Sequence, residues 1–102
     1  MSFGIKFTSQ ANLDYLEIIN YCLEQSSSLA EEFDNNLIER LELIGSSPEM
    51  FSRYEATNYR RTHLLKFKQQ IVYQVLEEDK VILIVAIMHH SRNPNRLVKR
   101  LT

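Results

Sequence analysis

The chain has almost none of the residues that staple or punctuate small proteins. Of its 102 residues one is cysteine, two are glycine, two are proline and none is tryptophan. The single Cys22 excludes an internal disulfide and suits a reducing compartment. Hydrophobic content of 44% with 25% charged residues excludes a disordered or low-complexity chain. One domain spanning residues 1–102 is expected, burying roughly 60–70% of the unfolded surface without staples. No apolar run reaches the length of a membrane span, and Lys6 falls before a signal-peptide core could form. The expected address is the cytoplasm, away from membranes. Neither Cys nor acid spacing supports a zinc site around His63, His89 and His90, and no metal or cofactor is expected.

A net charge of −1 hides an internal split. Residues 1–51 carry nine acids and two bases, a net −7, whereas residues 52–102 carry ten bases and four acids, a net +6. Such asymmetry predicts a basic surface for an anionic partner, backed by an acidic half.

Phe3, Ile5 and Phe7 alternate with Gly4, Lys6 and Thr8, the period-two pattern of a half-buried strand. Ser9 offers a cap for a helix from Gln10 to about Gln25. That helix carries an apolar stripe of Ala11, Tyr15, Ile18 and Cys22, widened by Leu16, Ile19 and Leu23. The serines at 26–28 make a short polar joint and supply the next cap. Ala30, Phe33, Leu37, Leu41 and Ile44 then mark a second helix, with Gly45 as its C-terminal stop and Pro48 barring continuation. Beyond a loop over residues 46–58, strands are predicted at Tyr59 to Leu65, Gln69 to Leu76 and Val81 to Met88. The last two are joined by the polar turn Glu77-Glu78-Asp79-Lys80. The fold class is α+β: β-α-α-β-β-β, with a helical hairpin on one face of a small, mainly antiparallel sheet.

The residues riding on that frame resemble a known family. Ala11, Asp14, Tyr15, Ile18 and Tyr21 on the first helix are followed by Ala30, Phe33, Leu37 and Leu41 on the second, then Pro48. The sheet half contributes Tyr59-Arg60-Arg61, Ile71-Val72-Tyr73-Gln74-Val75 and a closing His89-His90-Ser91-Arg92-Asn93-Pro94. Their order and spacing resemble the RelE/ParE superfamily of bacterial type II toxins over nearly the whole chain, with the ending nearest the ParE (plasmid stabilisation) branch. The resemblance implies a toxin neutralised by a cognate antitoxin. ParE-type members poison DNA gyrase; RelE-type members cut messenger RNA on the ribosome.

A metal-independent ribonuclease needs a base, an acid and cations for the developing phosphate charge. Arg61, Lys68 and Arg92 could supply the cations and His89 or His90 the base, with Glu49 or Glu55 as the acid. The C-terminal tyrosine of RelE-type enzymes is missing, since no tyrosine follows Tyr73. As a binding protein, the chain would present Arg60, Arg61, Lys66, Lys68, Arg92, Arg96 and Arg100 to its target or partner. Arg60 and Arg61 should point to opposite faces of their strand, leaving one free to pair with helix acids. Cys22, Tyr15, Phe33 and Tyr73 read as core residues.

The final strand is apolar on both faces, yet two helices can cover only one. The C-terminal tail, a second copy in a homodimer, or a partner such as the antitoxin should cover the other. The reading adopted is a non-catalytic toxin that binds its target, DNA gyrase. A ribosome-dependent mRNA interferase, or an inactivated relative acting only as a binding module, are the alternatives.

Overall fold

The computed structural model describes residues 3–53 and 57–89. Its elements are β1 (Gly4–Phe7), α1 (Ser9–Gln25), α2 (Ser27–Ser46), β2 (Arg60–His63), β3 (Gln69–Leu76) and β4 (Val81–His89). The strands form one sheet in the order β1-β4-β3-β2, with β1 parallel to β4 and the other pairs antiparallel. The first strand thus lies beside the last, and the helical hairpin crosses over one face of the sheet between them.

The caps differ from expectation in instructive ways. Thr8, not Ser9, caps α1, its Oγ1 accepting the Ala11 N–H at 3.1 Å. The joint between the helices shrinks to Ser26 alone. Its N–H donates to the Cys22 carbonyl at 2.9 Å, while its Oγ accepts the Leu29 N–H at 3.0 Å, so one extended residue serves both helix ends. Gly45 does not stop α2. The helix runs through it to Ser46, and Ser47 is the cap. Gly45 is instead where two backbones meet: the Phe3 N–H donates to its carbonyl at 2.9 Å, and a Cβ there would sit 3.3 Å from the Phe3 carbonyl oxygen. The strand predicted at Tyr59 to Leu65 is paired only over Arg60–His63, after which residues 64–68 turn and drop Phe67 against the core.

Between helices and sheet lies the main core: Phe33, Leu37 and Ile44 of α2 and Ala11, Ile19 and Cys22 of α1 face Ile71, Tyr73, Ile82, Ile84 and Ile87. Phe33 is fully buried and meets Phe67 edge-on with ring centroids 5.1 Å apart. Burying one such side chain contributes about 1.5–3 kcal/mol. Leu16 and Leu23, expected to widen the α1 stripe, point to solvent instead, 43% and 53% exposed.

One irregularity decides which way the end of β4 faces. Val72 pairs with Ala86 but Tyr73 pairs with Ile84, leaving Val85 as an extra residue. Before this bulge Ile82 and Ile84 face the helices; after it Ile87 does, because the alternation has slipped by one. Val85 and Ala86 consequently both join the second cluster on the opposite face, with Val72 and Met88. These four are at most 8% exposed within the single chain. The chain itself thus removes these residues from water.

Candidate binding surface

The sheet face opposite the helices has a buried apolar centre and exposed basic residues at its rims. Val72, Val85, Ala86 and Met88 form the centre, with Tyr59 and Leu83 packed against it. Cross-strand pairing brings side chains at opposed positions to one face. Arg61 therefore joins Val72 on this face, and His63 joins Gln70, both from the β2 edge. Lys6, paired with Leu83, stands at the β1 edge. Arg61, His63 and Lys6 are exposed. Gln70 is 2% exposed and its Oε1 accepts no hydrogen bond, a rare state for a buried carbonyl.

Arg60 takes the other face, as alternation demands, but its partners are backbone oxygens rather than helix acids. Its Nη1 donates to the Phe51 carbonyl at 2.7 Å and reaches the Glu49 carbonyl at 3.5 Å. Beside it the Tyr73 hydroxyl donates to the Pro48 carbonyl at 2.7 Å. Burial pushes the Tyr73 phenol up to about 12, against the lowering pull of Arg60. Arg60 thus holds the loop after α2 against the sheet. Lys66 and Lys68 are exposed on the β2–β3 connection, which is tied to α2 where the Lys66 N–H donates to Asn36 Oδ1 at 3.4 Å. Glu49 is exposed. Glu55, His90, Arg92, Arg96 and Arg100 lie outside the described residues.

His89 is half-buried at the end of β4, opposite Gln69. Past the Val85 bulge it shares the parity of Ile87, so it faces the helical side, lining a cleft of about 130 Å³ with Asp14, Glu17 and Ile18. Arg61 and His89 therefore occupy opposite faces of the sheet. Asp14, a residue to which sequence reasoning gave no role, anchors this corner by accepting the Ile87 N–H on Oδ2 at 3.0 Å. The available signal was its place beside Tyr15 in the motif of the first helix.

A second concavity, about 550 Å³, runs between β1 and α2 and is lined by Phe3, Ile5, Ile38, Leu41, Glu42, Gly45 and Ser46. Gly4 and Thr8 give their N–H groups to Lys80 and Ile84 of the β4 side. By alternation Ile5 and Phe7 turn theirs to the outer edge, beside Ile38, which is 51% exposed. Among the described residues no group of three or more His, Cys, Asp or Glu side chains could hold a metal ion, and no helix is long and apolar enough to cross a membrane.

This architecture is that of known toxins. The chain superimposes on a protein of the chromosomal ParDE system of P. aeruginosa with a TM-score of 0.71 and 16% identity, over 86% of this chain and 96% of the other. A variant of the E. coli RelE toxin in the free state matches at 0.67 and 19%, over the whole of both chains. A chain of the intact E. coli RelBE toxin–antitoxin complex matches at 0.62 and 17%, over 89% of this chain and 100% of that one. No curated protein matches it by sequence. Identities this low establish the fold alone; the family is established by the sequence model of the ParE toxin of the parDE type II toxin–antitoxin system, which matches residues 5–94, and the chain belongs to that family.

Proposed function

We propose that the protein is a toxin that acts by binding its target, DNA gyrase, rather than by cutting RNA, and that a cognate antitoxin neutralises it. The observation that carries this reading is the separation of His89 from Arg61 across the sheet, since a general base and the cation that stabilises phosphate charge must reach the same phosphodiester. The ParE family match points the same way. Arg61, Lys66 and Lys68 are exposed and supply attraction for a target without any demand for catalytic geometry. Arg92, Arg96 and Arg100 extend the basic sequence in the same role. The antitoxin has a fitting seat in the groove between β1 and α2, where an extended segment could add to the β1 edge and place apolar side chains against Ile5, Ile38 and Leu41.

The rival reading, a ribosome-dependent mRNA interferase, draws on the full-length match to the RelE variant. Induction in cells lacking antitoxin separates the two. Gyrase poisoning gives double-strand DNA breaks and SOS induction with translation continuing at first; an interferase gives immediate loss of translation and cut messenger RNA. The second outcome, abolished by His89→Ala alone, would overturn the proposal, and the absence of any toxicity would leave only the binding-module reading.

A further inference from the structure

The solvent side of α1 carries a second apolar stripe that the core does not use. Leu13, Leu16, Asn20 and Leu23 recur at intervals of three, four and three residues, the a and d spacing of a coiled-coil seam. The three leucines are 53%, 43% and 53% exposed, and Asn20 is exposed among them. Ala11, Ile19 and Cys22, buried on the same helix, account for its packing on the sheet. Three leucines on one outward face, at a regular period, are more than scattered surface apolar residues.

We propose that this stripe is the seam of a homodimer, in which α1 of a second copy packs alongside in parallel. Asn20 argues for a second copy. An amide carries both donor and acceptor, so across a two-fold axis it satisfies its own counterpart, and a single asparagine at an a position sets register and strand number in this way. The charges agree with a parallel arrangement. Glu17 and Glu24 follow the d positions and would lie beside Asn12 and Ile19 of the second copy, with no acid opposing an acid. An antiparallel pair would instead bring Glu17 against its own counterpart. The helix is already folded in the monomer, so association orders little backbone. The seam is short, below a standard stable interface, and the dimer is correspondingly weak, with a dissociation constant on the order of tens of micromolar.

Sedimentation equilibrium of the purified full chain, between about 10 μM and 1 mM, reads this directly. A reversible monomer–dimer equilibrium is expected, with Leu16→Glu monomeric throughout at unchanged circular dichroism, and Asn20→Leu associating at least about tenfold more tightly. Leu16→Cys should form a symmetric disulfide dimer on oxidation, because residue 16 meets its counterpart only in the parallel arrangement, while buried Cys22 stays out of the reaction. A monomer at the highest concentration for both the natural chain and Asn20→Leu would overturn the proposal. So would a dimer indifferent to Leu16→Glu. If Leu16→Glu weakens only antitoxin binding, the stripe belongs to a basic partner helix and the homodimer is wrong.

Discussion

Asp14 of α1 accepts the backbone N–H of Ile87 of β4, 73 residues away, at 3.0 Å. The bond exists because β1 is too short. Its pairing with β4 ends at Phe7 opposite Ile84, and the Val85 bulge then turns the Ile87 N–H toward the open edge, where a carboxylate reaches it from the helix. A side chain completes the edge that the missing strand would have covered.

Asp14→Ala should therefore lower unfolding stability by about 1.5–3 kcal/mol, the contribution of a hydrogen bond to a charged group. Asp14→Asn keeps an acceptor in place and should cost less. Urea midpoints of the three proteins check the order, which fails if the two variants are equally stable.

Two phenols make the fold sensitive to alkali. Tyr15 is pushed up to about 12, first by burial and then by its 2.6 Å hydrogen bond to Asp34 and that residue's charge. Tyr73 is raised to about 12 by burial. Unfolded tyrosine ionises at about 10, so the folded state prefers the neutral phenol. The stabilisation is complete below pH 10 and is lost as pH rises from about 10 to about 12. Tyr15→Phe should be less stable at neutral pH by about 1 kcal/mol and lose less than the natural chain over that window. Denaturant melts at neutral pH and at about pH 11 test the difference in slope.

Arg60 and Arg61 are adjacent, yet their losses should read out differently. Arg60→Ala frees the Glu49 and Phe51 carbonyls and should cost about 1–3 kcal/mol of stability. Arg61→Ala removes an exposed side chain, should cost less stability than Arg60→Ala, and should weaken toxicity by degrees. Melting temperatures beside growth inhibition separate the two effects. Equal destabilisation would mean that the faces are misassigned.

Gly45 sets two opposed effects against each other. Alanine favours the helix by about 1 kcal/mol over glycine, but its Cβ must sit 3.3 Å from the Phe3 carbonyl oxygen. Gly45→Ala should stay within about 0.5 kcal/mol of the natural chain, while the bulkier Gly45→Val should lose about 1–3 kcal/mol by prising β1 from α2. Chemical denaturation of both variants gives the answer.

Core truncation tests the helical stripes. Leu37 is 4% exposed, and Leu37→Ala should cost about 2–5 kcal/mol. Ile18 is only half-buried, so Ile18→Ala should cost less. A reversed order would place the α1 stripe, not α2, at the centre of the core.

The secondary-structure elements were legible in the order of the amino acids. Periodicity over neighbouring residues is a local property, fixed by the backbone's two soft dihedrals and by which side of a helix or strand meets water. It places the end of α1 at Gln25 and the limits of β3 at Gln69 and Leu76. Counting charges along the chain shows the acidic and basic halves, and the motif residues in their order and spacing resemble the family. Which residues share a face was not legible there, because long-range packing sets it. In Val81 to Met88 every side chain is apolar, so the pattern holds no parity, and the bulge at Val85 that turns His89 toward the helices leaves no mark in the sequence. Leu16 and Leu23 could have belonged to the core or to solvent on composition alone, and Gly45 could have ended a helix or admitted a neighbouring strand. Each of those choices is settled by partners far apart along the chain, such as Asp14 with Ile87 and Phe3 with Gly45. Contacts of that kind carry no local period, because the two ends meet only once the sheet has closed.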